Sequence, residues 1–154
     1  MVLSSGRLLA PVFRWISPQT GGEAENWNTE DGVPSPTFSY SYTCISDDGG
    51  KTWKRSLSEL FTSFNRAAWD LEEPIAVELR DGRLLMYLRA GMGRLYKSYS
   101  SDEGFSWTRP APVHIAAANA PTFIRRIPFT GNLLMVWNQA SCQELVTSRC
   151  RIRL

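Results

Sequence analysis

Two residues of this chain combine a reactive type with a placement that needs explaining. Both lie in the stretch Leu71-Glu72-Glu73-Pro74-Ile75-Ala76-Val77-Glu78-Leu79-Arg80-Asp81-Gly82-Arg83-Leu84-Leu85-Met86-Tyr87-Leu88-Arg89. Glu73 directly precedes Pro74, which pushes its backbone toward an extended conformation and sets it at the start of a strand. Arg89 closes an apolar run. A carboxylate in such a place can hold or accept a proton, and a guanidinium can grip an anion through two parallel donors. Among so many apolar neighbours, Arg89 needs an anionic partner or an exposed strand end. Taken singly, Glu73 also reads as a solvated loop acid and Arg89 as a strand-end charge.

Other chemistries are excluded by composition. A single histidine, His114, leaves no Ser-His-Asp triad and no His-based metal site. Cys44, Cys142 and Cys150 show no metal-ligand spacing; Cys44 falls in an apolar strand pattern as a small core residue, and a Cys142–Cys150 bridge stays open. No metal and no cofactor is expected. A net charge of +2 makes no electrostatic case for nucleic acid, and Arg149, Arg151 and Arg153 read as a basic terminus. No apolar run is long enough for a membrane span, and residues 1–15 lack the core of a signal peptide, so compartment stays open.

The elements that must position Glu73 and Arg89 are announced by a repeat. Ser46-Asp47-Asp48-Gly49-Gly50-Lys51-Thr52-Trp53 recurs, 54 positions later, as Ser100-Ser101-Asp102-Glu103-Gly104-Phe105-Ser106-Trp107. In each octet the Asp (Asp48, Asp102) can close a turn on nearby backbone N–H groups. The Gly (Gly50, Gly104) supplies a positive φ. The Ser (Ser46, Ser100) can bond the same turn, and the Trp (Trp53, Trp107) can pack against a neighbouring sheet. The octets are therefore hairpin staples that touch no substrate. A period near 50 residues is that of a four-stranded propeller blade.

Gly6-Arg7-Leu8-Leu9, Gly82-Arg83-Leu84-Leu85 and Gly131-Asn132-Leu133-Leu134 each open an apolar run that reads as a buried strand, expected to be the innermost of its blade. Phe38–Ser46 and Arg94–Ser100 alternate and lead into the octets, with Trp53–Arg55 and Trp107–Arg109 as the outer strands. The blade-like units span about 1–56, 73–110 and, in part, 122–154, with a long Gly/Pro/Glu/Asn-rich loop over 17–37 that holds Asp31. The tail Ala140–Leu154 shows no third octet. With 154 residues at 54 per blade, the chain holds about two and a half blades, whereas a closed propeller needs at least about four. The fold class is all-β, an incomplete propeller in one domain.

The octets resemble the Asp-box, or bacterial neuraminidase repeat, of the sialidase superfamily. Glu73, followed by Glu78-Leu79-x-Asp81-Gly82-x-Leu84 and Arg89, resembles the central part of exo-sialidases, and Arg126-Ile127-Pro128-x-Thr130-Gly131-x-Leu133-Leu134-x-Val136-Trp137-Asn138 resembles a stretch of the Asp-box sialidase-like proteins of bacteria. The resemblance covers about Leu3 to Asn138. It implies a six-bladed propeller and retaining hydrolysis of terminal sialic acid by a tyrosine nucleophile, an exception to the two-carboxylate scheme. Position by position, Glu73 matches the glutamate that assists the tyrosine, and Arg89 matches one of three arginines that hold the sialic acid carboxylate. The other two arginines, the acid/base aspartate and the nucleophile have no counterpart here. Tyr40, Tyr42, Tyr87, Tyr96 and Tyr99 sit in strand patterns and read as aromatic core, and Arg126-Ile127-Pro128 reads as a turn at a strand.

The expected partner is thus a sialylated glycan or related carbohydrate, with no nucleic acid, no membrane span and an open oligomeric state. Two rival functions remain: a non-catalytic propeller that binds glycan or protein, and an Asp-box glycosidase or lyase for another sugar, which would carry different charges around Glu73 and Arg89.

Overall fold

The structure, a computed structural model, describes residues 1–16, 38–62, 71–140 and 151–153. The expected loop over 17–37 with Asp31, and Arg149, Cys142 and Cys150, lie outside the described residues. All ten elements are strands, in chain order β1 (Leu8–Ile16), β2 (Phe38–Ser46), β3 (Lys54–Arg55), β4 (Glu72–Glu78), β5 (Leu84–Arg89), β6 (Arg94–Ser100), β7 (Ala111–Ala116), β8 (Phe123–Arg126), β9 (Leu133–Gln139) and β10 (Arg151–Arg153). They form three antiparallel sheets, ordered β1-β2-β3, β4-β5-β6-β7 and β10-β9-β8. Residue Val2 bridges Leu8, so the N-terminal segment runs along the inner edge of the first sheet. The tail, featureless in sequence, adds β10 to the third sheet.

The middle sheet is covered on both faces, which explains why β5 is almost continuously apolar. Leu84, Met86 and Leu88 of β5 join Leu9 and Ile45 of the first sheet, and Leu60, which bridges Ser41 of β2, in one core. Leu85 and Tyr87 face the other way, toward Ile124 and Met135 of the third sheet. The run opened by Gly82 is nevertheless not innermost, as the sequence suggested. It is second, between β4 and β6, and β4 is the strand that touches β1, β2 and β8. The three sheets converge on β4, as consecutive propeller blades converge on their axis.

The outer strand of the middle sheet also differs from expectation. Thr108 N donates to Tyr99 O at 2.8 Å, so Trp107–Arg109 does approach β6. Pro110 has no N–H to continue the ladder, and the strand proper, β7, resumes at Ala111 opposite Lys97. Tyr40 and Tyr96 are buried, whereas Tyr42, Tyr87 and Tyr99 are half-buried. Cys44, expected in the core, is half-buried on the first sheet's outer face, opposite Ala10, because that face has no described sheet against it.

The octets close both hairpins with one hydrogen-bond pattern. Ser46 Oγ donates to Asp48 Oδ1 (2.8 Å), Gly50 N donates to Ser46 Oγ (2.9 Å), and Thr52 N donates to Asp48 Oδ1 (2.9 Å). In the second copy Ser100, Asp102, Gly104 and Ser106 repeat those bonds at 2.8, 2.9 and 2.8 Å. Gly50 and Gly104 have φ of +91° and +89°. The tryptophans diverge. Trp107 is 8% exposed and Trp53 47%. Trp107 lies against the first sheet and shares its Nε1–H between Thr43 Oγ1 at 3.0 Å and Gly104 O of its own turn at 3.1 Å. Trp53, on a face of that sheet with no other described sheet against it, makes the equivalent bond to Gly50 O of its own turn, at 3.1 Å.

Candidate functional site

The octets lie at one end of the sheets and Glu73 and Arg89 at the other. Leu84, at the start of β5, is opposite Ser100, while Arg89 at its end is opposite Glu72, the first residue of β4. The ladder between β4 and β5 shifts register between Glu72 and Ile75, and Glu73 has φ +45°, left-handed at the bulge rather than extended as its place before Pro74 suggested. In a regular strand, successive side chains point to opposite faces. A bulge with one left-handed residue breaks that alternation, and here it lets two consecutive carboxylates reach one guanidinium. Glu72 Oε2 is 2.7 Å from Arg89 Nη2, and Glu73 Oε1 is 3.0 Å from Arg89 Nη1. A left-handed, non-glycine residue in a strand is backbone strain of the kind that collects at working sites.

The surroundings of the two carboxylates differ. The Glu72 side chain is 2% exposed, that of Arg89 13% and that of Glu73 30%. Ser39 Oγ, from β2 in the neighbouring sheet, donates to Glu72 Oε1 at 2.9 Å. Glu73 Oε2 is buried and has no hydrogen-bond partner among the described residues. A buried acceptor in that state is costly, and it is suited to a donor from outside these residues. Chemically, the arrangement presents a carboxylate and a guanidinium side by side.

Glu73 and Arg89 were legible as candidates in the sequence; Glu72 was not singled out, although the Glu-Glu-Pro doublet was in view. Arg126 is at the octet end, far from this pair. Its Nη1 donates to Gly131 O and its Nη2 to Glu78 O, so the guanidinium is committed to main-chain carbonyls. A cavity of about 400 Å³ runs along the inner edge of β4, between Val2, Ile75, Val77 and Phe123, and includes neither Glu73 nor Arg89. Among the described residues no cluster of His, Cys, Asp and Glu could hold a metal ion, and no helix is long and apolar enough to cross a membrane.

The octet carboxyls titrate abnormally for local reasons. The hydroxyl and N–H of Thr52, with help from Ser46, hold Asp48 at about 2, below its ordinary 3.8. For Asp102, partial burial acts to raise the pKa, but hydrogen bonds from Ser106 and Ser100 leave it lowered.

No family model matches the chain, and no curated protein matches it significantly. Solved structures do. A protein of unknown function from Dyadobacter fermentans has a TM-score of 0.62 at 21% identity, over 88% of this chain and 31% of that one. The K499G mutant of NanB sialidase from Streptococcus pneumoniae has a TM-score of 0.58 at 21% identity, over 89% and 17%. Trypanosoma rangeli sialidase in complex with sialic acid has a TM-score of 0.56 at 19% identity, over 90% and 19%. The chain therefore has a sialidase-like fold, an all-β partial propeller. It spans less than a third of the length of each of these structures, and at such identities the likeness is one of fold.

Proposed function

We propose that this chain is part of a sialidase-like glycoside hydrolase, one incomplete propeller domain, whose whole protein releases terminal sialic acid from glycoconjugates. The observation that carries the reading is the Glu73–Arg89 pair, 3.0 Å apart on a strained bulge where the sheets converge. In this reading Glu73 draws the proton from a tyrosine supplied by another blade, to which its unbonded Oε2 would turn. A sialoside carries a carboxylate on its anomeric carbon, so a neutral tyrosine avoids the repulsion that a carboxylate nucleophile would meet. Arg89 helps to hold that substrate carboxylate. The octet residues Ser46, Asp48, Gly50, Trp53, Ser100, Asp102, Gly104 and Trp107 serve as hairpin staples.

In this reading the tyrosine and two further arginines come from other blades, so the chain alone should not turn over a sialylated reporter substrate. Sustained hydrolysis that disappears in Glu73→Gln would refute that expectation. A second reading, an Asp-box glycosidase or lyase for another sugar, is favoured by one observation: Glu72 puts a second carboxylate on Arg89. Comparing sialylated with neutral glycans as ligands of the same chain separates the two.

A further inference from the structure

Both terminal nitrogens of Arg89 already face a carboxylate, but the two carboxylates are held very differently. Glu72 is bound on both oxygens, by Ser39 Oγ at 2.9 Å and by Arg89 Nη2 at 2.7 Å, and its side chain is 2% exposed. Glu73 is 30% exposed and rests on Arg89 through one oxygen. Moving a buried carboxylate away from its partners strands a charge in a poorly solvated place, whereas a partly exposed one can exchange its partner for water.

We infer that Glu72 is a positioning residue that holds the Nη2 arm of Arg89 and, with Glu73 on Nη1, offsets the charge that the guanidinium presents to an anionic ligand. Glu72 sets both the angle of the guanidinium and its reluctance to bind anions, and the link to Ser39 makes this a property of two adjacent sheets. The inference rests on the reading that Arg89 faces a ligand. Neither the motif position of Glu73 nor that of Arg89 implies it.

The test titrates the chain with acetate and, separately, with N-acetylneuraminic acid, following the ¹⁵N-labelled Arg89 guanidinium by NMR. Glu72→Gln keeps the shape and removes the charge, and should bind acetate about tenfold more tightly, the order expected for one unit charge beside an ion-binding group. Its Nη2 protons should exchange faster with water. Ser39→Ala, which removes one hydrogen bond to Glu72 without changing any charge, should shift both readouts in the same direction by less. Acetate binding no tighter in Glu72→Gln than in the unaltered chain, or absent from both, overturns the inference. If Glu72→Gln does not fold, Ser39→Ala decides, and an unchanged affinity there overturns it equally. If acetate tightens as expected but N-acetylneuraminic acid binds no better than acetate, the inference stands and the sialic acid reading falls.

Discussion

Replacing Gly104 by alanine should destabilise this fold far more than the same change at Gly50. The two glycines hold the same octet position and nearly the same φ, +89° and +91°. A side chain in a left-handed conformation costs about 1–2 kcal/mol, and both variants bear that cost. The neighbours differ. A Cβ at Gly104 would lie 2.3 Å from Leu9 Cδ1 and 3.5 Å from Leu84 Cδ1, while a Cβ at Gly50 would meet nothing nearer than Leu8 Cδ1 at 3.5 Å. Leu9 is 1% exposed, inside the core between the first two sheets, so its methyl group has little room to retreat. Overpacking of that kind adds about 1–3 kcal/mol. We expect about 1–2 kcal/mol for Gly50→Ala and about 2–5 kcal/mol for Gly104→Ala. Urea unfolding monitored by the fluorescence of buried Trp107 would measure both, and in a chain of this size each kcal/mol moves Tm by about 2–4 °C. The double variant Leu9→Ala/Gly104→Ala should cost less than the sum of the single changes, because the clashing methyl is gone. Equal losses at Gly50 and Gly104 would refute the claim that the second octet is wedged against the first sheet.

Trp107→Phe should cost about 1–3 kcal/mol, since it leaves the buried Thr43 hydroxyl without the indole N–H, whereas Trp53→Phe should stay within about 0.5 kcal/mol; a similar loss at both sites would contradict their different burial. Asp48 has a folded pKa of about 2, depressed below the unfolded value near 3.9, so its contribution is present above about pH 4 and is lost as pH falls through about 2. The urea midpoints of the unaltered chain and Asp48→Asn should therefore converge between pH 5 and pH 2, and a constant gap would refute the assignment. Met86→Ala, at a fully buried site facing the first sheet, should cost about 2–5 kcal/mol in the same unfolding assay, while Phe129→Ser, at 99% exposure, should be near neutral.

The octets were legible because their physics is local. Each staple bond spans two to four residues, so residue type and spacing already contain the partner. β2 was legible for a related reason, since a half-covered strand writes its two faces as an alternation. The place of β5 in its sheet was not. A strand buried on both faces reads as apolar whether it is first or second from the axis, and only the contacts of β4 with the sheets on either side decided the order. The displacement of β7 was in principle readable from Pro110, which cannot donate to the ladder.

For the candidate site, residue chemistry pointed to Glu73 and Arg89, while the extended conformation expected of Glu73 before Pro74 gave way to the bulge. Alternation would have sent Glu72 and Glu73 to opposite faces, so no local rule brings both to one guanidinium. The bulge at Glu73 does so, held by the pairing of β4 with β5 and by Ser39 from the next sheet. Likewise two tryptophans in one motif differ in burial because a described sheet lies against only one of them. Sequence by itself determined the turns, the strand chemistry and the blade period, all of which arise within a few residues or from a repeated pattern. Tertiary structure decided burial, strand order and the charge around Arg89, because each depends on atoms brought together from segments far apart in the chain.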